Sequence, residues 1–235
     1  SDIYPMLLNM KDLSLLLRGI REERGGLDFD IKEMKIIVDE KGTPINVESR
    51  ERGLSEMMIE DFMLAANEAV AETLFHLKYP CCYRVHEEPN KERLANVNNI
   101  LKAIGEEIKN IDKGVKPKQL QRLMNNIKGT AAMDSVNTLL LRAMAKARYD
   151  SMPLGHYGLA AQYYCHFTSP IRRYPDVTVH RLLRTYLIEG KMDMGTLKRW
   201  EEKLVYISEH SSSRERAAVD CEREVEDMKM AEYME

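Results

Sequence analysis

The chain has 235 residues, of which 44% are hydrophobic and 31% are charged, and 35 basic against 38 acidic side chains leave a formal net charge of −3. This composition is typical of a globular protein and excludes a disordered acidic or basic tail. No apolar run approaches the ~18 residues of a membrane span, and no signal-peptide pattern opens the chain. We therefore expect a soluble, cytoplasmic protein that does not contact a membrane.

The remaining sequence inventory excludes several other classes of protein. The four cysteines, Cys81, Cys82, Cys165 and Cys221, are too few and too scattered for a disulfide framework and lack CxxC spacing. The six histidines show no paired metal-binding spacing, so a zinc site is not predicted. Because GxxxxGK[ST], GxGxxG and GxSxG motifs are absent, nucleoside triphosphatases, dinucleotide enzymes and serine hydrolases lose their usual support.

In chain order, the apolar pattern first predicts an amphipathic helix over residues 6–20 that ends near Gly25. A short β-meander should follow, because three runs rich in strand-forming residues occur at residues 27–31, 34–38 and 45–47. A turn containing glycine separates the last two runs.

A second long helix is predicted from Leu54, because apolar residues keep to one face for roughly 25 residues before Tyr79 and Pro80 stop the pattern. A brief extended piece is expected at residues 83–86. Three further helices are then predicted, at residues 91–104, 118–127 and 134–148. The middle of the chain should therefore be mostly helical.

Pro175 determines where the next helix can begin. A proline has no N–H and clashes with the carbonyl of the preceding turn, so a helix running on from Pro170 would be broken there. At the first helical position the same residue fits well, and Asp176 beside it favours the positive end of the helix dipole. We therefore expect this helix to begin at Pro175.

The tail, residues 194–234, predicts two charged helices with a break near 211–213. Charge is polarised along this half of the chain, with 11 acidic and 5 basic residues in 201–235 (net −6) against a net charge of +3 in 166–186. No repeat and no Gly/Ser linker separates domains. We interpret residues 1–235 as one α-dominated α/β unit, in α+β arrangement, without an internal boundary.

The segment SPIRRYPD, residues 169–176, places Arg172 and Arg173 just before the start of a helix. Free N–H groups at a helix start already favour anions, and an arginine fork matches two phosphate oxygens at once. The pattern indicates a phosphate-binding site, although adjacent arginines also commonly form surface ion pairs. Spacing alone leaves both interpretations open.

Three other side chains are candidates for a site, each with a structural alternative. Glu222 lies on an acidic helix and could ligate a metal or orient a water, or it could simply face solvent. Glu60, beside Asp61 on the long helix, could line a groove or belong to ordinary amphipathic alternation. Phe29 lies on a predicted strand and could stack on a base or pack in the core.

Four blocks of the sequence together resemble the catalytic (RNB) domain of the ribonuclease II / ribonuclease R family, in the family's order. They are RGGLDFDIKEMKIIVDEKG (24–42), SEMMIEDFMLAANEAVAETL (55–74), HFTSPIRRYPDVTVHRLL (166–183) and RERAAVDCEREVEDMKMAEYM (214–234). The resemblance implies an α/β fold around a deep channel. It also implies processive, Mg²⁺-dependent hydrolysis of RNA from its 3′ end to nucleoside 5′-monophosphates.

Position by position, the resemblance implies that Arg172 binds phosphate at the catalytic centre and that Glu222 assists near that centre. Phe29 matches the aromatic residue that helps to sandwich the terminal base, and Glu60 matches a glutamate that contacts the last nucleotide. Two more RNA-binding side chains are expected from the SPIRRY segment, Arg173 and Tyr174.

The resemblance also implies something that the sequence lacks. In the family, Mg²⁺ is held by closely spaced aspartates upstream of the region matched here, whereas Asp28 and Asp30 form only a close pair. We therefore expect no metal site in the chain, which resembles the later two-thirds of a catalytic domain and should be inactive alone. Its expected partners are a single-stranded RNA 3′ end, the upstream catalytic segment and flanking oligonucleotide-binding domains.

Two alternatives remain open from the sequence. The chain could be a catalytically dead RNA-binding or scaffolding module, which would bind single strands without depending on Mg²⁺. It could also be a helical module that binds a protein partner through the acidic tail helices.

Overall fold

The structure, a computed structural model, describes residues 3–29, 33–50 and 52–235. Its helices are α1 Ile3–Arg24, α2 Leu54–His76, α3 Lys91–Ala103, α4 Pro117–Ile127, α5 Met133–Ala143, α6 Tyr174–Leu183 and α7 Met194–Met234. Its strands are β1 Glu33–Val38, β2 Pro44–Arg50, β3 Tyr83–Val85 and β4 Arg148–Asp150. The predicted α-dominated class is confirmed, and so are both long helices of the first third of the chain.

The strands form two separate antiparallel pairs. In β1–β2, Ile36 lies opposite Val47, and Gly42 in the connecting turn has a φ of +80°, which residues with a side chain rarely adopt. In β3–β4, Arg84 lies opposite Tyr149. β3 and β4 are far apart in sequence, with α3, α4 and α5 between them in the chain.

The prediction of a first meander strand at residues 27–31 is wrong for residues 27–29. These residues form no strand, because the backbone N–H of Leu27 donates to the carbonyl of Gly158 at 2.8 Å instead of to a neighbouring strand. Residues 30 and 31 lie outside the described residues. Phe29 is therefore carried by an irregular segment that follows α1.

The predicted break at residues 211–213 is also wrong, because α7 continues through it. The hydroxyl of Ser212 donates to the carbonyl of Ser208 at 2.7 Å and accepts from the backbone N–H of Tyr149 at 2.8 Å. Instead of ending the helix, this serine fixes α7 against β4.

The third middle helix ends earlier than predicted. α5 stops at Ala143, and residues 148–150 form β4, where Arg148 pairs with Val85 of β3. Pairing with a distant strand therefore overrides the local helical pattern at the end of 134–148. By contrast, α6 begins within one residue of the prediction, with Pro175 in its first turn.

Two hydrophobic clusters stabilise the described part of the chain. The first joins α3, α4 and α5 through residues that include Leu94, Leu101, Leu120, Leu123 and Leu140. The second joins the end of α2, β3, β4, α6 and the first part of α7 through residues that include Leu74, Cys81, Val85, Val179, Leu182 and Leu204. No helix among the described residues combines the length and hydropathy needed to cross a bilayer.

A polar contact joins α1 to α2. The carboxylate of Asp61, which is buried, accepts from the Ser14 hydroxyl at 2.8 Å and from the guanidinium groups of Arg18 and Arg21 at 2.7 and 3.0 Å. Asp61 therefore holds the two helices together, and its carboxylate is not available to line a groove.

Candidate functional site

The backbone of the segment between residues 165 and 176 is fixed by hydrogen bonds to the side chain of Asn67 in α2. The Asn67 side-chain oxygen accepts from the backbone N–H groups of Phe167 and Thr168 at 2.9 and 3.2 Å, and its nitrogen donates to the Tyr164 hydroxyl at 3.0 Å. Asn67 is only 2% exposed. Buried hydrogen bonds of this kind are costly to break, so this segment has one well-defined backbone path.

Asp176 fixes the other end of the same segment. Its fully buried carboxylate accepts from the backbone N–H of Ser169 at 2.7 Å and from Nε and Nη2 of Arg173, both at 2.8 Å. Arg173 therefore forms a bidentate ion pair with Asp176, which fixes the orientation of its guanidinium. Ser169, Arg173 and Asp176 together shape the entry into α6.

Arg172 lies between these two fixed points and is exposed. Its backbone N–H approaches the carbonyl of Ser169 at 3.4 Å, but its guanidinium has no ion-pair or hydrogen-bond partner within 3–29, 33–50 and 52–235. Tyr174, the next candidate, is 52% exposed and lies against the guanidinium of Arg181, 5.8 Å from the ring centre. An exposed cation on a rigid backbone is well suited to bind an anion.

Further positive charge lies near His166, which belongs to the same segment. Arg84 of β3 lies over the ring of Tyr149 at 4.6 Å and forms an ion pair with Glu215 of α7 at 2.6 Å. The Tyr149 hydroxyl is 2.9 Å from Nδ1 of His166. Burial, followed by the charges of Arg173 and Arg84, lowers the pKa of His166 to about 2, so this ring stays neutral.

His156 continues the same buried aromatic arrangement. Its ring packs edge to face against Tyr164, with centroids 5.2 Å apart, and against His86 at 5.1 Å. Burial, with smaller contributions from His86 and Arg84, lowers the pKa of His156 to about 3. The imidazoles of His156 and His166 are thus neutral and add no charge beside Arg84 and Arg173.

Phe29 lies in a different place from the arginines, at an open cavity of about 1260 Å³ between α1, α2, α4 and α5, here called the α1–α4 cavity. Phe29 lines the cavity, is half-buried and packs against the core of α3–α5. Glu60 accepts from Arg52 at 3.3 Å, and the same guanidinium binds both oxygens of Asp28 at 2.9 and 3.1 Å. Arg52 therefore connects Glu60 to the residue preceding Phe29.

Glu222 is exposed on the second half of α7, and no polar partner for it occurs in the described part of the chain. It lies seven residues beyond Glu215, which on a helix corresponds to about 10 Å. No described contact joins it to Arg172. Its role in a site remains a prediction.

The structure groups the predicted residues only in part. Arg172, Arg173 and Tyr174 share one segment, and Arg52 links Phe29 to Glu60 by way of Asp28. No role was predicted for Arg84, because its place beside the SPIRRY segment depends on the pairing of β3 with β4. No role was predicted for His166 either: it lies only three residues before the motif, but its burial beside Arg173 and Arg84 is not visible in the spacing.

The described residues do not fit a Mg²⁺ site. No three His, Cys, Asp or Glu side chains in the ranges given above come together as a possible ligand set. The best-placed carboxylates already have cationic partners: Asp28 binds Arg52, Asp61 binds Arg18 and Arg21, and Asp176 binds Arg173. No chemical step through a metal is therefore derived from these side chains.

Comparison with known protein families identifies the RNB domain in residues 2–189. The chain belongs to the RNB domain family. α7 lies beyond the matched residues, although it supplies Ser212 and Glu215 to the surroundings of the SPIRRY segment. The resemblance noted in the sequence is thereby confirmed.

Relatives of this RNB-family chain are ribonucleases R. It is 50% identical to ribonuclease R 1 of Lactococcus lactis subsp. lactis over 96% of the chain and 28% of that protein, and 42% identical to ribonuclease R of Thermotoga maritima over 97% and 32%. The chain thus spans about a third or less of the length of these relatives.

Solved structures agree with the family assignment. RNase R of Mycoplasma genitalium, in complex with ribose-methylated single-stranded RNA, superimposes with a TM-score of 0.91 at 33% identity, over 96% of this chain and 35% of that one. Yeast Ssd1, described as a pseudonuclease, has a TM-score of 0.54 at 27% identity over 66% of this chain and 20% of that one.

Proposed function

We propose that this chain forms the RNA-binding part of a 3′→5′ exoribonuclease catalytic domain and that it is inactive alone. In the whole enzyme, RNA would be hydrolysed to nucleoside 5′-monophosphates in the cytoplasm. Mg²⁺ would be supplied by an upstream catalytic segment, and flanking oligonucleotide-binding domains would capture the strand. The identity to ribonucleases R and the match of the RNB domain support this proposal.

The observation that carries the proposal is the contrast between Arg172 and Arg173. Arg173 is neutralised by Asp176, whereas Arg172 has no described partner and projects from a backbone fixed by buried hydrogen bonds. A cation carried by a rigid backbone can stabilise negative charge that develops on a phosphate without a rearrangement of the chain. Arg172 is therefore proposed to contact the scissile phosphate.

The other predicted residues complete this proposal. Phe29 would stack on the terminal base at the α1–α4 cavity, and Glu60, which is linked to the cavity wall through Arg52, would contact the last nucleotide. Tyr174 would contact RNA beside Arg172. Glu222 would assist at the water or leaving-group side once the rest of the domain is in place.

RNA binding by the chain itself tests the proposal. We expect Arg172→Ala to weaken binding of single-stranded RNA, to lower the slope of log K against log salt by about one, and to leave the thermal unfolding midpoint unchanged. Fluorescence anisotropy at several salt concentrations measures the slope. Arg142→Ala, which removes an exposed arginine of α5 whose guanidinium has no partner in the described part of the chain, is the matched control. Equal slopes for Arg172→Ala and the parent chain would contradict the proposed role.

Hydrolysis tests the second part of the proposal. The chain alone should release no mononucleotides with Mg²⁺, and co-expression with the upstream segment of a ribonuclease R should restore release. In the restored enzyme, Arg172→Ala should reduce the rate at saturating RNA. Release of mononucleotides by the isolated chain would show that the expectation of inactivity is wrong.

A second candidate is a catalytically dead RNA-binding or scaffolding module. The fold similarity to the pseudonuclease Ssd1 favours it. This candidate predicts RNA binding that depends on Arg172 but not on Mg²⁺, and no hydrolysis even after the upstream segment is added.

A further inference from the structure

Asn137 of α5 is buried without a hydrogen-bond partner for its side-chain oxygen. The residue is 4% exposed, and this oxygen has no partner in the described ranges. Asn98 of α3, in the same core, shows the usual arrangement, because its oxygen accepts from Ile108 N–H at 2.7 Å and its nitrogen donates to the Ile108 carbonyl at 3.3 Å. An unpaired buried amide destabilises the fold, so packing alone does not account for Asn137.

Asn137 lines the α1–α4 cavity, the same cavity that Phe29 lines. Met124 and Met133 add apolar surface to it. The unpaired oxygen is itself closed off from solvent, so it reaches a ligand only when the amide turns towards the cavity. A half-buried aromatic ring, flexible apolar side chains and such an amide form the kind of surface that recognises a nucleobase, since the ring can stack on the base and the turned amide can bond to its edge.

The charges on the cavity wall favour the same kind of ligand. Four acidic and four basic side chains line it: Glu22, Glu23, Asp28 and Glu56, with Arg50, Arg52, Lys118 and Lys128. Several of these charges already pair with each other, as Arg50 does with Glu56 and Arg52 with Asp28. A balanced wall gives little net attraction to a bare anion, so affinity here has to come from stacking and hydrogen bonding.

We propose that Asn137 is a base-recognising residue, and that its amide hydrogen bonds to the edge of the RNA 3′-terminal base while the base lies on Phe29. This inference rests on the proposed function, because it assumes that the RNA 3′ end enters the α1–α4 cavity. An amide carries both a donor and an acceptor, which matches the neighbouring donor and acceptor groups on a base edge, such as N6 and N7 of adenine.

Binding of two RNAs separates this role from a general effect on affinity. One probe is a short oligoadenylate, and the other is the same strand with an abasic 3′-terminal residue. We expect Asn137→Leu to weaken binding of the first roughly threefold to tenfold, the size of one net hydrogen bond, and to leave binding of the second unchanged. Asn126→Leu, at an exposed position of α4 that is not part of the cavity lining, is the control for both.

The unfolding midpoint of Asn137→Leu separates a binding role from a structural role, because the two roles predict changes of opposite sign. Leucine has the same branched arrangement of side-chain heavy atoms as asparagine and needs no hydrogen bond, and the cavity beside position 137 has room for its larger methyl groups, so Asn137→Leu should raise the unfolding midpoint by roughly 2–4 °C. Asn98→Leu should lower it, because it breaks two bonds to Ile108. A binding-defective but stabilised Asn137→Leu supports the proposal.

The outcomes distinguish this inference from the function on which it rests. Equal weakening of both RNAs, unchanged binding of both, or a lower unfolding midpoint for Asn137→Leu would each overturn the role of Asn137 alone. Failure of the parent chain to bind either RNA would overturn the proposed function and this inference with it. A parent chain whose affinity depends on Arg172 but not on Asn137 would retain the first and lose the second.

Discussion

The two parts of the candidate site are held in place by different kinds of interaction. The segment carrying Arg172 is fixed by Asn67 and Asp176, both almost completely buried. The rim of the α1–α4 cavity is held by Arg52, whose ion pairs to Asp28 and Glu60 involve side chains that are each more than 40% exposed. Buried bonds resist displacement, whereas exposed ion pairs contribute little to stability.

This difference suits the tasks proposed for the two places. A group that stabilises charge on a phosphate acts best when it is preorganised, so a rigid backbone beneath Arg172 is an advantage. A pocket that must accept each successive base and release it again benefits from a rim that adjusts at little cost.

The rigid part should be the most sensitive to substitution at Asp176. Asp176→Ala removes the partner of Arg173 and of the Ser169 N–H, and it leaves a mostly buried guanidinium uncompensated. We expect a loss of about 3–5 kcal/mol in the free energy of unfolding, measured by urea denaturation. A loss below ~1 kcal/mol would show that the segment is not held as tightly as its contacts indicate.

Asp193→Ala is the matched control for this prediction. Asp193 also precedes a helix, and its carboxylate accepts from the N–H and hydroxyl of Thr196 at the start of α7. Unlike Asp176, it is exposed and has no cationic partner in the described part of the chain. Its replacement should therefore destabilise the protein much less than Asp176→Ala.

Acid should weaken the rigid part next, through His156 and His166. Folding lowers the pKa of these imidazoles to about 3 and about 2, so below the ordinary value of about 6.5 the unfolded chain binds protons that the folded chain does not. The stability that the two neutral rings contribute is therefore fully present above pH ~6.5 and is lost progressively as the pH falls towards 3. Two such groups should cost about 2–3 kcal/mol per pH unit near pH 5.

Denaturation at several pH values measures this slope. The groups that face the two rings and must be considered with them are Arg84, Arg172, Arg173, His86, Tyr149 and Tyr164. His166→Phe should reduce the slope by roughly half, whatever its effect on absolute stability. His210→Gln, on the exposed surface of α7, should leave it unchanged. An unchanged slope in His166→Phe would contradict the prediction.

Local pattern predicted those parts of the fold that depend on neighbouring residues. Apolar periodicity gave α1 and α2, and the backbone restriction of Pro175 placed the start of α6. The continuity of α7 was not predictable in this way, because the partner that keeps Ser212 helical is Tyr149, 63 residues away in the chain. Contacts of this range leave no local signal.

The site was predictable in the same uneven way. The SPIRRY motif identified Arg172, but nothing in its spacing shows that Arg173 is neutralised by Asp176 while Arg172 is not. Asn137 carries no sequence signal at all, because an asparagine on an amphipathic helix is unremarkable until the partners of its amide are known. Such properties follow from packing and require coordinates.

The smallest predicted effect on stability is at the rim of the cavity. Arg52→Gln removes ion pairs to Asp28 and Glu60 that are exposed to solvent, so the free energy of unfolding should fall by at most about 1 kcal/mol in urea denaturation. Because the same change releases Glu60 from Asp28, RNA affinity should respond more than stability does. Arg50→Gln, which loses an exposed pair to Glu56 on the same cavity wall, is the control for the binding measurement. A stability loss above ~2 kcal/mol would mean that the rim is as rigid as the segment carrying Arg172, and the contrast between the two places would fail.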